Sequence, residues 1–364
     1  MRRLVLTGLS LLAAAGAASA QPVAQLEPLL NTLSGARLVG EDPIVATYFG
    51  VADILRLAAA RDDATPGLGE RLMSVSDRTV TAYFRNSEGW EAHTGVARED
   101  VLAFLVAGSP PGTVTLWAMA DGAAAALADF LPGQGFVPDP AYPDRILRNG
   151  EPFATDFAAL DPANPWRGPI GQSSFVARMD DVILQAAAAE IIGVAAAPPP
   201  LAQATPVAAI LSALAGLPDT TTILQGMLFS PRLGAAMTAA AAGAPPVDDG
   251  TGVLLYQSGF IFDADVGGVA MLGITLAYTD CDLAAEQATA AADLWRDANT
   301  REGRTFQDLV PVEVTIVAGT AMDGLCAATA LLAGPADGFA NPAYSLAVSA
   351  VGRREFIPLR IRAL

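Results

Sequence analysis

Lysine is absent from this sequence of 364 residues, histidine occurs once and cysteine twice. The missing lysine, set beside an excess of alanine, reads as a bias of the coding sequence rather than a function. Charge is scarce as well: 16% of residues are charged, against about 25% in an average soluble protein. What charge there is leans one way, to a formal net of −17. A surface of that sign repels nucleic acid and anionic headgroups, so no nucleic-acid partner is expected.

The scarcity of nucleophile partners narrows the chemistry further. The lone histidine is His93, in GWEAHTG, and a serine or cysteine triad would have to use it. No G-x-S-x-G elbow occurs, and Ser173 and Ser174 stand in GQSSFV without its flanking pattern. His93 is therefore expected to be a loop bystander. One histidine and two cysteines are too few good ligands for zinc. Phosphate loops are missing too: Gly67 and Gly69 lack the third glycine of a dinucleotide fingerprint. No cofactor and no metal are expected.

Long apolar runs are also rare. The one candidate, 4–17, follows Arg2 and Arg3 and is closed by Ala18-Ser19-Ala20. It falls short of the roughly 20 residues a spanning helix needs, and its three-part pattern is that of a secretory signal peptide over 1–20. No cysteine follows to carry a lipid anchor, so a soluble periplasmic or secreted protein is expected from Gln21, with no membrane insertion after cleavage. The arginine pair leaves general and twin-arginine export both open.

What is present reads as alternating strands and helices. Apolar residues recurring at three and four predict helices across 21–60, and a short strand is predicted at 80–84. Runs at 101–107 and 113–119 read as a hairpin, followed by a helix at 122–131 that Pro132 and Gly133 stop. Asn149-Gly150 predicts a second hairpin and Asp180-Asp181 a third. Helices at 187–195 and 206–216, a strand at 220–228 and an alanine-rich helix at 233–242 complete the first part. The stretch GAPPVDDGTG, 243–252, has the composition of a linker. Beyond it, strands at 253–262 and 269–278, a helix at 283–298 and strands at 312–317 and 325–332 follow. Asn341-Pro342 starts a last helix, and 356–361, with its proline, reads as an edge strand. The expected architecture is α+β, with two modules, 21–242 and 253–364, each an antiparallel sheet with helices on one face. The split β-α-β, ferredoxin-like topology is the nearest template, a likeness of topology and not of family.

That template places Cys281 at the end of one strand and Cys326 at the start of its antiparallel neighbour, so in an oxidising compartment the two are expected to form a disulfide. Their spacing is not that of a redox pair. Asp263 and Asp265 flank a turn, and Asp280, Asp282 and Glu286 crowd a helix start. Neither group matches the twelve-residue calcium loop, and the second is explained by capping. Asp248-Asp249-Gly-Thr-Gly resembles an aspartic-protease motif only superficially, its order being wrong.

The loop DPANPWRGPIG holds Trp166 and Arg167 between prolines. The pair reads as a possible binding loop, since an aromatic and an arginine anchor partners well, unless Trp166 folds back over the sheet. The functional expectation is an exported, non-catalytic protein that binds a small molecule or an envelope protein, or serves as a scaffold. The alternative is a metal-independent hydrolase with carboxylates in a cleft between the modules.

Overall fold

The computed structural model describes residues 23–40, 42–60, 71–72, 77–85, 89–234, 256–300, 302–319, 323–335 and 339–360. The expected signal peptide and the 243–252 linker lie outside them. The strands are β1 (Ile44–Phe49), β2 (Val101–Ala107), β3 (Val114–Met119), β4 (Val137–Pro138), β5 (Ile146–Arg148), β6 (Phe175–Met179), β7 (Val182–Ala186), β8 (Thr221–Phe229), β9 (Ser258–Val266), β10 (Val269–Tyr278), β11 (Glu313–Ala318) and β12 (Cys326–Ala333). Every pairing is antiparallel, in the order β11-β12-β10-β9-β8-β1-β2-β3-β7-β6-β5-β4.

The mixed α+β class and antiparallel pairing match expectation, whereas the division into two sheets does not. β8 and β9, one on each side of the expected linker, pair from Thr221↔Val266 to Phe229↔Gly259. Both are buried along nearly their whole length. A strand apolar on both faces is a poor edge, because its open row of backbone donors and acceptors invites another strand. Joining the halves covers both edges at once.

Helices also cover both faces rather than one. They are α1 (Leu26–Thr32), α2 (Val51–Ala59), α3 (Arg78–Arg85), α4 (Trp90–Thr94), α5 (Ala123–Phe130), α6 (Ala189–Ala195), α7 (Thr205–Ala215), α8 (Cys281–Asp297), α9 (Phe306–Leu309) and α10 (Pro342–Gly352). Strand alternation sorts the core. Leu105, Leu116 and Leu184 meet α1, α6 and α7 on one face. Their neighbours Phe104, Trp117 and Ile183 turn to the other, against Tyr83, Trp90 and Trp166. On that second face, further along the sheet, Ile274 and Leu332 pack with Trp295 of α8, Ala347 of α10 and Phe356.

Four local differences have clear causes. β1 lies in a stretch read as helix; its residues are largely buried on both faces, which erases the alternation that marks a strand. The expected strand at 80–84 is instead α3, because the Asp77 carboxylate accepts the amides of Thr79 and Val80 at 2.8 and 3.1 Å and starts a helix. After Asn149-Gly150 no strand returns; β5 pairs with β4 and β6. The expected edge strand at 356–361 is occupied over Ile357–Arg360 by a 3-10 turn.

Cys281 and Cys326 are joined, with Cα atoms 4.9 Å apart. Tyr278 pairs with Cys326 in the β10–β12 ladder, so the bridge ties the start of α8 to the start of β12.

Candidate functional site

Two polar clusters are sunk into the second face of the sheet. The first is at its centre. Arg71 donates through Nε and Nη2 to the two oxygens of Asp263, both at 2.8 Å, and through Nη1 to the Phe339 carbonyl at 2.9 Å. Asn341 Nδ2 donates to Asp263 at 2.7 Å and Gln225 Nε2 at 3.1 Å. The Arg71 and Asp263 side chains are 1% and 0% exposed. Asp263 is thereby consumed by a structural pair, and its neighbour Asp265 accepts the Gly268 amide of the β9–β10 turn at 2.9 Å. The other acidic cluster caps, as its sequence implies: Asp280 accepts the amides of Asp282 and Leu283. No group of three or more histidine, cysteine or acidic side chains suited to a metal occurs among the described residues.

The second cluster borders open space. Gly108 and Pro110–Thr113 form the β2–β3 turn, and beside it a cleft of about 320 Å³ opens between that turn, the start of α3, the end of β7 and the loop before β6. Val106, Pro110, Pro111, Pro169, Ile170 and the alanines at 186–187 give it apolar walls. Asp77, Arg78, Thr115, Gln172 and Gln185 supply the polar part. These groups are tied together: Thr115 donates to Asp77 at 3.0 Å, Thr79 to Gln185 at 2.8 Å, and Gln185 to Ser174 at 3.0 Å and the Pro165 carbonyl at 2.8 Å. Arg78 donates to both oxygens of Gln172, at 3.2 Å each, and to Ser174 Oγ at 2.9 Å. Burial pushes the Arg78 proton affinity down to about 10, Asp77 opposes the shift and Arg167 adds to it.

The expected loop divides at this site. Trp166 is 1% exposed and stacks on Trp117, their ring centroids 4.9 Å apart and planes 6° from parallel. Its indole N–H donates to the His93 carbonyl at 2.8 Å. As an anchor for a partner it is out of reach; the two indoles gain more from stacking inside the core than either would in water. Arg167 stays half-buried and donates to the Asn149 carbonyl at 2.7 Å. The remaining sequence candidates do not converge. His93 Nε2 lies 3.5 Å from Asp161, while Ser173 donates to the Glu151 carbonyl and Ser174 to that of Trp166.

Sequence reasoning passed over Asp77, Arg78, Thr115, Gln172 and Gln185. The signal was present in Gln185: a polar residue inside the apolar strand VILQA must find partners or pay for burial. No helix among the described residues is long and apolar enough to cross a membrane. No protein-family model matches the chain, and no curated protein matches it. Two solved structures of TP0453 overlap it, crystal form I with a TM-score of 0.34 and crystal form IV with 0.35, each at 8% identity. They cover 88% and 84% of this chain and 98% and 94% of their own. Neither fold nor function is carried over from overlap at that level.

Proposed function

We propose that this chain is an exported, non-catalytic binding protein of the periplasm, and that its small-molecule site is the cleft beside the β2–β3 turn. The observation that carries the reading is the make-up of that cleft. Apolar walls enclose a few convergent polar groups in a volume at the lower end of the roughly 300–1,000 Å³ typical of ligand pockets. Export is supported by the pattern at 1–20 and by the Cys281–Cys326 bridge, since disulfides persist in oxidising compartments.

The test is a thermal-shift screen of sugars, amino acids, organic acids and other metabolites, run in parallel on the wild type and on Val106→Phe, which narrows the cleft. A ligand that stabilises the first and not the second supports the reading, because a binder of the folded state at a hundredfold excess over Kd adds about 2.7 kcal/mol. Hits that stabilise both equally would place binding elsewhere.

An envelope protein is the second reading, favoured by the loop between β5 and β6. Its Phe153, Phe157, Leu160 and Ile170 are exposed, Phe157 by 74%, and clustered exposed apolar side chains mark interaction surfaces. Loss of a co-purifying partner in Phe157→Asp, with thermal stability unchanged, supports it. Retention of the partner would refute it.

A further inference from the structure

We propose that the cleft takes a small molecule joining a carboxylate to an apolar body, the carboxylate meeting Arg78 and the body lying against Pro110, Pro111, Pro169 and Ile170. This inference rests on the cleft being the binding site, and its starting point is the set of hydrogen-bond partners of Arg78.

Every acceptor of the Arg78 guanidinium is neutral: the carbonyl and side-chain oxygens of Gln172, the Ser174 hydroxyl, and the Ser173 carbonyl at 3.5 Å. No carboxylate pairs with it among the described residues. Asp77 is adjacent in the chain, yet one of its oxygens takes the Thr79 and Val80 amides and the other takes the Thr115 hydroxyl. Arg167, the other cation that acts on Arg78, worsens the balance. A largely buried cation hydrogen-bonded only to neutral acceptors, with Asp77 attracting it from a distance, is costly, and an anion delivered to it recovers part of that cost. Arginine suits a carboxylate in particular, because its planar donors match the two oxygens.

The surroundings narrow the class. Among the described residues, Asp77 and Arg78 are the only charged ones lining the cleft. A single guanidinium offers one charge, which answers a carboxylate better than a phosphate dianion. Pro110, Pro111, Pro169 and Ile170 give the cleft an apolar wall, and Ile170 is 46% exposed, so a ligand body that covers it gains from burial. The Gln172 side chain is the group a ligand would displace. Its side-chain oxygen occupies Arg78 Nη1 while its main-chain oxygen shares the same nitrogen, so a carboxylate oxygen replaces the former without stripping the latter.

The experiment compares 4-phenylbutyrate with its uncharged amide, 4-phenylbutyramide, by calorimetry on the disulfide-bonded wild type, Arg78→Gln, Arg78→Lys and Val106→Phe. The expected result is a preference of the wild type for the acid of roughly ten- to hundredfold, the range of a charge-assisted hydrogen bond. That preference collapses in Arg78→Gln and survives in part in Arg78→Lys, which keeps the charge and guards against a variant that merely misfolds. Val106→Phe weakens both probes. Equal binding of acid and amide, both lost in Val106→Phe, overturns the carboxylate class and leaves the cleft standing as a site. Acid binding indifferent to Val106→Phe overturns the cleft itself. Failure of the acid to bind at millimolar concentration also overturns the proposed class, since it is a simple molecule that pairs its two features.

Discussion

Removing the Asp263 carboxylate, as in Asp263→Ala, withdraws four hydrogen bonds at once, two from Arg71 and one each from Gln225 and Asn341. The larger effect is electrostatic. Arg71, whose side chain is 1% exposed, is left as an unpaired cation between two layers of the core. Breaking a buried pair from one side costs about 3–5 kcal/mol, a large share of the roughly 5–15 kcal/mol that holds a protein folded. For a chain of this size that corresponds to a fall in Tm on the order of 5 °C. The double variant Arg71→Met/Asp263→Leu should recover most of the loss, since an apolar pair of similar volume is often no worse than a buried ion pair. Gln225 keeps the Arg71 carbonyl and Asn341 keeps the Met271 carbonyl as acceptors. Urea denaturation followed by tryptophan fluorescence is a suitable assay, because all four tryptophans are fully buried and report unfolding directly. A single variant within about 1 kcal/mol of wild type would refute the argument, as would a double variant no more stable than the single one, measured against the 3–5 kcal/mol expected.

Reducing the Cys281–Cys326 bridge, or replacing both residues by alanine, should cost about 4 kcal/mol, from the chain entropy released by opening a loop of 45 residues; unchanged stability under reductant would contradict this. Trp166→Ala should destabilise by about 3–5 kcal/mol, whereas Arg167→Ala, which loses one hydrogen bond to a carbonyl, should cost about 1–2 kcal/mol. Equal effects in denaturation would show that the stacking on Trp117 contributes little. Burial holds the Arg78 pKa down at about 10, so binding of 4-phenylbutyrate should be flat from neutral pH to about 9 and weaken as pH passes about 10. Titration calorimetry across that range checks it, and affinity unchanged at about pH 11 would show that Arg78 keeps its proton there despite its burial.

Helix caps and the Asp180-Asp181 turn are the features most legible in the sequence, whereas the Asn149-Gly150 signal gives no hairpin. Asp180-Asp181 lies between β6 and β7, with Asp180 in the left-handed region at φ 51°, and Asn341 caps α10 through the Tyr344 amide just ahead of Pro342. The disulfide followed from one correct strand pairing, β10 with β12. Local signals failed where tertiary burial overrode them. The β-branched and aromatic residues of RTVTAYFR argue for a strand, yet Val80 and Tyr83 point to one side of a helix and are fully buried there. The candidate site was illegible for a different reason. Gln185, Gln225 and Asp263 advertise buried polar contacts, but Arg71 stands 192 residues from Asp263 and Thr79 stands 106 from Gln185. Nothing in either neighbourhood names the other.

The place of β1 in the sheet has a consequence for assembly. It lies between β2 and β8, so its first partner is made soon after it and its second only once residues 221–229 exist. A chain growing from its N-terminus therefore carries β1 with one bare edge from residue 49 to residue 229, about half of its synthesis. Closure over so long a stretch is slow, because its entropy must be spent before any contact returns it. The seam between β1 and β8 is where a chaperone or a second unfinished chain has time to act, and where folding and aggregation compete for the same strand.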